Sequence, residues 1–254
     1  MYKRQAGSLR VVVPNLLLVQ SWSPSPEVYF GLNTVSWSLS CEAFFYLLFP
    51  WLLRGLVRLD TRALWPAAVA LAGLTCCLPL VTTGWSEPTA YWFLYVLPVT
   101  RLAEFCLGMA LARIVATGRW PRVPAWAAGL LLVGAYAAIG QLPVRFGYVA
   151  ATVVPLALLI PALATADLTG RRTLWSTRWA VLLGEVSFAF YMVHQLVIRF
   201  AAKALHIPVA GAPDWSTAKV LAVEAAVLVA ALAGAAMLWR VVERPLNDRL
   251  RARR

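Results

Sequence analysis

The chain has 254 residues, 61% of them hydrophobic and 13% charged, with a mean hydropathy of +0.71. A water-soluble domain carries about one-quarter charged residues. A soluble globular fold is therefore excluded, and the long apolar runs parted by short Arg-bearing stretches define an all-α, polytopic transmembrane helix bundle. The net charge of +12 does not call for nucleic acid as a partner. The arginines sit at the ends of apolar runs, as the positive-inside rule requires, and leave no continuous basic face to track phosphates.

In chain order, Met1 to Gln5 fit no targeting pattern. Residues 11–20, interrupted by Pro14, are too few to cross a bilayer and predict a short interfacial or re-entrant helix. Seven spans are expected at 32–53, 64–83, 91–114, 125–140, 147–166, 180–201 and 218–240, the fourth being the shortest. The whole of 1–254 then reads as one integral membrane domain. Residues 1–31 form an extracytoplasmic or interfacial segment, 32–240 the bundle and 241–254 a basic tail.

Basic residues crowd one set of linkers: Arg54, Arg58 and Arg62; Arg113, Arg119 and Arg122; Arg171, Arg172 and Arg178; and the tail from Arg240 to Arg254. The opposite linkers carry only Arg145, Arg199, Lys203 and Lys219. The crowded side is expected to be cytoplasmic, with the C-terminus inside and residues 20–31 outside. Lys3, Arg4 and Arg10 then fall on the unfavoured side, and a first span entering from outside lacks its own start-transfer signal. Helices upstream of Met1 would account for both. Tryptophans near the span ends (Trp51, Trp65, Trp85, Trp92, Trp120, Trp126, Trp179 and Trp239) read as interfacial anchors. Cys41, Cys76, Cys77 and Cys106 lie inside apolar runs and read as small hydrophobes, not as a disulfide or metal framework.

Ionisable groups inside spans are costly, about 2.5–3.5 kcal/mol on insertion scales, and are kept where they are paired or used. Glu42 is placed near the middle of the first span with no partner foreseen in its own helix, so its partner is expected from another. Arg101 and Glu104 share a helix face at i,i+3 in the third span, either as a structural ion pair or as the polar wall of a cavity. His194 lies in the outward half of the sixth span. Glu185 and Glu224 sit close enough to helix ends to be structural, and His206 falls in a polar loop. Pro50, Pro79, Pro98, Pro155 and Pro161 suggest helices kinked around a cavity. No Gly-rich phosphate loop, zinc spacing or Gly-x-Ser-x-Gly elbow is present.

Three segments resemble one family, the acyltransferase-3 integral membrane O-acyltransferases. Asn33-Thr-Val-Ser-Trp37-Ser-Leu-Ser-Cys-Glu42-Ala-Phe-Phe-Tyr46 is similar to its Trp-Ser-Leu-Ser-x-Glu segment. Arg101-Leu-Ala-Glu104-Phe-Cys-Leu-Gly108-Met109 is similar to its Arg-x-x-Glu-Phe-x-x-Gly-Met segment. Leu183-Gly-Glu-Val-Ser187-Phe-Ala-Phe-Tyr191-Met-Val-His194 resembles its Gly-x-x-Ser-Tyr-x-x-Tyr-Leu-x-His helix, and Glu243-Arg244-Pro245 resembles its usual ending. Cys41, Ala43 and Phe188 depart from the residues common at those places.

The resemblance implies transfer of an acyl group, often acetyl, from acyl-CoA (acetyl-CoA) to a hydroxyl of a carbohydrate or glycosylated acceptor, at the inner (cytoplasmic) membrane of a bacterium. No bound cofactor or metal is expected. The partners are the lipid bilayer, acyl-CoA and the acceptor. The resemblance carries catalytic roles to Glu42 and His194, and binding roles to Arg101, Glu104, Trp37 and Tyr191. It also implies earlier helices bearing a catalytic histidine, which nothing here matches, so the chain is expected to be the C-terminal portion of such an enzyme. Two other functions fit intramembrane charges: a transporter or flippase of glycosylated or acylated lipid, and a non-catalytic membrane partner.

Overall fold

The computed structural model describes residues 9–171, 173–207 and 215–251, which are helical with no strand among them. They fall into two compact units. The first holds the described residues up to Leu32 together with Ser36–Thr173, and the second holds Asn33–Val35 with those from Leu174 onward.

Unit one begins with a small polar layer. Helices α1 (Leu9–Leu16) and α2 (Pro26–Tyr29) flank a 3-10 turn at Gln20–Trp22. Asn15 Nδ2 donates to the carbonyls of Val11 (2.8 Å) and Val28 (2.9 Å). Gln20 Nε2 donates to Ser36 O at 2.9 Å, and Ser21 Oγ to Trp37 O at 2.7 Å. Gly31 is needed for close approach, since a Cβ there would stand 2.3 Å from Val11 Cγ1. The expected short helix within 11–20 is thus α1, and it is locked to α2 by side-chain bonds to backbone.

The first span, α3 (Trp37–Arg58), starts later than the expected residue 32. Asn33 and Val35 are engaged elsewhere: Asn33 Nδ2 donates to Met192 O at 2.9 Å, and Val35 O accepts from the Tyr191 hydroxyl at 3.1 Å. Glu42 therefore lies only about 7.5 Å of helix rise from the start of α3, rather than near the middle of the span.

After α3 come α4 (Leu64–Val81) and α5 (Glu87–Tyr91). A π-helical turn, Trp92–Val96, leads to an extended Leu97 and then α6 (Pro98–Ala116). Of the prolines expected to kink spans, Pro98 alone marks a break. Pro50, Pro79, Pro155 and Pro161 sit inside continuous helices. Thr100 Oγ1 donates to the carbonyls of Phe93 and Leu97, satisfying backbone that the break frees.

Next come α7 (Ala125–Ala138), α8 (Val144–Tyr148) and α9 (Ala150–Leu168). Among the described residues, six helical stretches are long and apolar enough to cross a membrane, and α7 with its following 3-10 turn, Ala125–Gln141, falls short of that length. The connectivity still carries α7 across. Tyr148, the last residue of α8 and two residues before α9, packs on Tyr91 (5.1 Å) and Tyr95 (6.4 Å), just ahead of α6. Helices α6 and α9 thus start at the same end and run parallel. The chain leaving the far end of α6 must cross back before α9 can begin, and α7 is the segment that does so.

Helix α4 runs against both. Near its start Trp65 stacks on Trp120, beyond the end of α6, at 5.7 Å, and farther along Cys76 Sγ lies 3.8 Å from Ala150 O. Leu64, Ala68, Leu107, Ala110, Leu111, Ile114, Val149 and Val153 form the core between the three helices. Helix α3 runs parallel to α6: Phe45 stacks on Phe105 at 4.9 Å, and Arg113 Nη2 donates to Val57 O at 3.0 Å.

Unit two is built on α10 (Arg178–Ala204) and α11 (Thr217–Leu238), followed by a π-helical turn, Trp239–Glu243, and α12 (Arg244–Arg251). Helices α10 and α11 meet over small residues. Ala189, Ala231 and Ala235 are buried, and a Cβ on Gly234 would come within 3.1 Å of Val193 Cγ1. Lipid tails are as apolar as leucine, so such close backbone packing, rather than apolar transfer, holds membrane helices together.

In both units large apolar side chains stand bare along the spans, among them Leu47, Leu74, Leu130, Val133 and Val229. This is the surface a bilayer covers. Trp51, Trp126 and Trp179 are exposed, as interfacial anchors are. Trp92 departs from that expectation, because its indole N–H donates to Ser21 O at 2.9 Å and ties the polar layer to the break before α6. The four cysteines are free. Cys41 is buried and Cys77 exposed.

Candidate functional site

The break at Leu97–Pro98 sets up the polar centre of unit one. It starts α6 inside the third span, so that Arg101 and Glu104 occupy the first two turns of a new helix. Their side chains pair as the i,i+3 spacing predicts, with Arg101 Nη1 2.9 Å from Glu104 Oε1. The pair is close in distance, but Nη1 makes no well-directed hydrogen bond. The guanidinium also lies over the Tyr95 ring, 5.3 Å from its centroid. Trp37 packs on the same ring at 5.0 Å, which places the first and second motifs side by side.

Glu42 belongs to this neighbourhood from α3. Adjacent Cys41 is buried with its thiol 3.3 Å from Val96 O, within electrostatic range of Arg101 and Glu104. Among the described residues, the expected partner from another helix is not found at Glu42. Tyr46 lies one turn on in α3, at the i,i+4 spacing that puts the two side chains on one helix face. Tyrosine at i+4 was legible in the sequence as a possible donor.

A cavity of about 600 Å³ opens between α6 and α9. Tyr95, Arg101, Glu104 and Tyr148 line it, as do Gly108, Thr152 and Tyr136 of α7, with aliphatic side chains beyond. Tyr148 was not singled out in the sequence. Its hydroxyl donates to Glu87 Oε2 at 3.2 Å, and Glu87 pairs with Arg145 at 3.4 Å. Arg145 also donates to the carbonyls of Trp85 (2.7 Å) and Thr82. This cluster clamps the loop before α5 to the head of α9. A lone arginine in an apolar linker was its one sequence signal.

The third motif lies in unit two. His194 Nδ1 faces two carbonyl oxygens of its own helix, Tyr191 O at 2.8 Å and Phe190 O at 3.2 Å. Both are acceptors, so Nδ1 carries the proton and Nε2 keeps its lone pair in the neutral ring. The ring stacks on Phe190 at 5.5 Å. A second cavity of about 420 Å³ is lined by His194 and Glu224 among Phe190 and aliphatic residues. Tyr191 spends its hydroxyl on Val35 O. Among the described residues, no cluster of three or more His, Cys, Asp or Glu side chains comes together to hold a metal ion.

A helical, multi-pass membrane protein with ionisable side chains gathered at a cavity inside its bundle is the class these features define. The family model described as an acyltransferase domain matches residues 4–240, and the chain belongs to that acyltransferase family. It is similar to acyltransferase MdmB of Streptomyces mycarofaciens, 42% identical over 252 residues, covering 96% of this chain and 65% of that protein. It is also similar to the exopolysaccharide production protein ExoZ of Rhizobium meliloti (strain 1021), 30% identical over 264 residues, covering 98% of this chain and 76% of that protein. The chain thus spans slightly under two thirds of MdmB's length. No solved structure matches the chain at a significant level.

Proposed function

We propose that this chain forms part of a membrane O-acyltransferase that moves an acyl group, acetyl in the simplest case, from acyl-CoA to a hydroxyl of a carbohydrate or glycosylated acceptor. The observation that carries the reading is the cavity lined by Arg101 and Glu104, two residues of a family motif, with Trp37 of a second motif packed on Tyr95 in its wall. Family membership and the name of the acyltransferase MdmB support the reaction class. The name of ExoZ, an exopolysaccharide production protein, supports a carbohydrate acceptor.

In this reading a base takes the proton of the acceptor hydroxyl as its oxygen bonds to the thioester carbonyl carbon. The tetrahedral oxyanion then collapses, the C–S bond breaks and CoA leaves as its thiol. Glu104 accepts from an acceptor hydroxyl and Arg101 donates to an acceptor oxygen. Glu42 is the carboxylate that orients the reacting group. His194, with a free Nε2 lone pair, is a proton acceptor. Tyr191 and Trp37 hold their neighbours in place. The cytoplasmic arginines, on the positive-inside orientation, suit a donor bearing phosphates, and the enzyme resides in the inner membrane.

The test is transfer of radiolabelled acetyl from acetyl-CoA to extractable glycoconjugate in membranes expressing the full protein. Glu42→Gln is expected to lower transfer by about 10²-fold or more, and an unchanged rate removes Glu42 from the mechanism. The break before Pro98 also gives the third span the discontinuous form used at transporter binding sites. Glycolipid movement without acyl-CoA in a counterflow assay is the outcome that favours transport instead.

A further inference from the structure

The cavity between α6 and α9 is strongly graded along its length. Tyr95, Arg101, Glu104 and Tyr148 stand at one end. From Leu107 onward the walls on α6 and α9 are aliphatic as far as Ala116 and Leu168, with Thr152 near the head of α9 and Tyr136 near the end of α7 the polar exceptions. Arg101 to Ala116 covers about 22 Å of helix rise, so a volume of about 600 Å³ is drawn out into a slot rather than gathered in a chamber. Gly108 keeps the slot open beside Glu104. It lines the cavity, and a Cβ built on it would meet no atom within 4 Å.

We propose that this slot seats the hydrocarbon chain of a lipid-anchored acceptor, with its hydroxylated head held at Arg101 and Glu104. The proposal rests on the acyl-transfer reading and narrows its acceptor to a molecule carried on a membrane-embedded chain. The polarity gradient selects the occupant. A hydroxylated head brings donors for the carboxylate of Glu104 and acceptors for the guanidinium of Arg101. The acyl end of a thioester donor brings acceptors alone and leaves Glu104 unanswered. A pantetheine arm would draw its amides past aliphatic walls that offer them no partners. An alkyl or isoprenoid chain asks nothing of those walls.

The experiment uses the full protein in lipid nanodiscs with a hexadecyl glucoside carrying a photoactivatable diazirine at the end of its chain. After illumination the label is mapped by peptide mass spectrometry. It is expected on α6 and α9 residues deep in the slot, around Ala112 and Ala164. Unlabelled hexadecyl glucoside should compete it away. Ala112→Trp or Ala164→Trp, both at exposed lining positions, should reduce it to the level found at lipid-facing Val133. Should either variant fail to fold, the wild-type map decides alone.

Label spread evenly over lipid-facing positions overturns the seat. Competition by palmitoyl-CoA but not by the glycolipid gives the chain to the donor and overturns the assignment to the acceptor. Acetyl transfer is measured on the same nanodiscs. If transfer is absent while the label still maps to the slot, the acyl-transfer reading falls and the chain seat stands.

Discussion

The two units hold their family motifs in different ways. In unit one, Arg101 pairs with Glu104 and lies over Tyr95, and Trp37 of α3 packs on the same Tyr95 ring, at the edge of a cavity. In unit two, His194 is satisfied by the backbone of its own helix, and the Tyr191 hydroxyl donates to the Val35 carbonyl. The first arrangement is a network in which removing one member exposes another. The second is a side chain that can be changed with little harm to its surroundings. The difference predicts which substitutions damage folding and which damage function alone.

The largest effect is expected where the network is broken unevenly. Glu104→Ala leaves Arg101 without its ion pair inside a span; breaking a buried pair from one side costs about 3–5 kcal/mol, and this half-buried pair at a cavity edge should lose less than that. Arg101→Met with Glu104→Leu removes both charges and is expected to recover most of that stability while abolishing transfer. Thermal unfolding in detergent, measured beside transfer, checks both halves. A double variant no more stable than Glu104→Ala means that the pair contributes shape rather than charge balance.

Next in size is a purely functional loss in unit two. His194→Gln should leave stability within about 0.5 kcal/mol, the usual range for a side chain with no partner across helices. If His194 accepts the proton, transfer should fall by about 10²-fold. Equal transfer by the variant would make His194 a merely satisfied histidine. Smaller again is the seam between α10 and α11. Ala235 is fully buried there, and Ala235→Leu forces the helices apart at about 1–3 kcal/mol. The loss should appear as earlier unfolding, and an unchanged midpoint would mean that α11 shifts to make room.

These contrasts show what the sequence could and could not carry. Helix periodicity and the i,i+3 rule are local, so the spans and the Arg101–Glu104 pair are legible in the residues alone. The later start of α3 is not, because it depends on Asn33 and Val35 bonding to residues far along the chain. The break at Pro98 is one of five equivalent prolines in the sequence. It is singled out by the π-helical turn ahead of it and by Thr100 behind it. That α7 crosses the bundle despite its length also follows only from a long-range fact, the packing of Tyr148 on Tyr91 and Tyr95. Family motifs mark the residues of the cavity edge, but not the tyrosines that complete it.

Tyr148 offers the finest test of the comparison, because it belongs both to the cavity lining and to the clamp at Glu87 and Arg145. Tyr148→Phe keeps the ring against Tyr91 and Tyr95 and deletes one hydrogen bond, to a carboxylate that stays partly exposed. The stability lost should be about 0.5–1.5 kcal/mol or less. If the hydroxyl serves only the clamp, both kcat and the acceptor KM are unchanged. If it also touches the acceptor head beside Glu104, the acceptor KM rises while kcat holds, because the contact is then equal in ground and transition states. A drop in kcat with KM unchanged contradicts both roles and places Tyr148 at the reacting atoms.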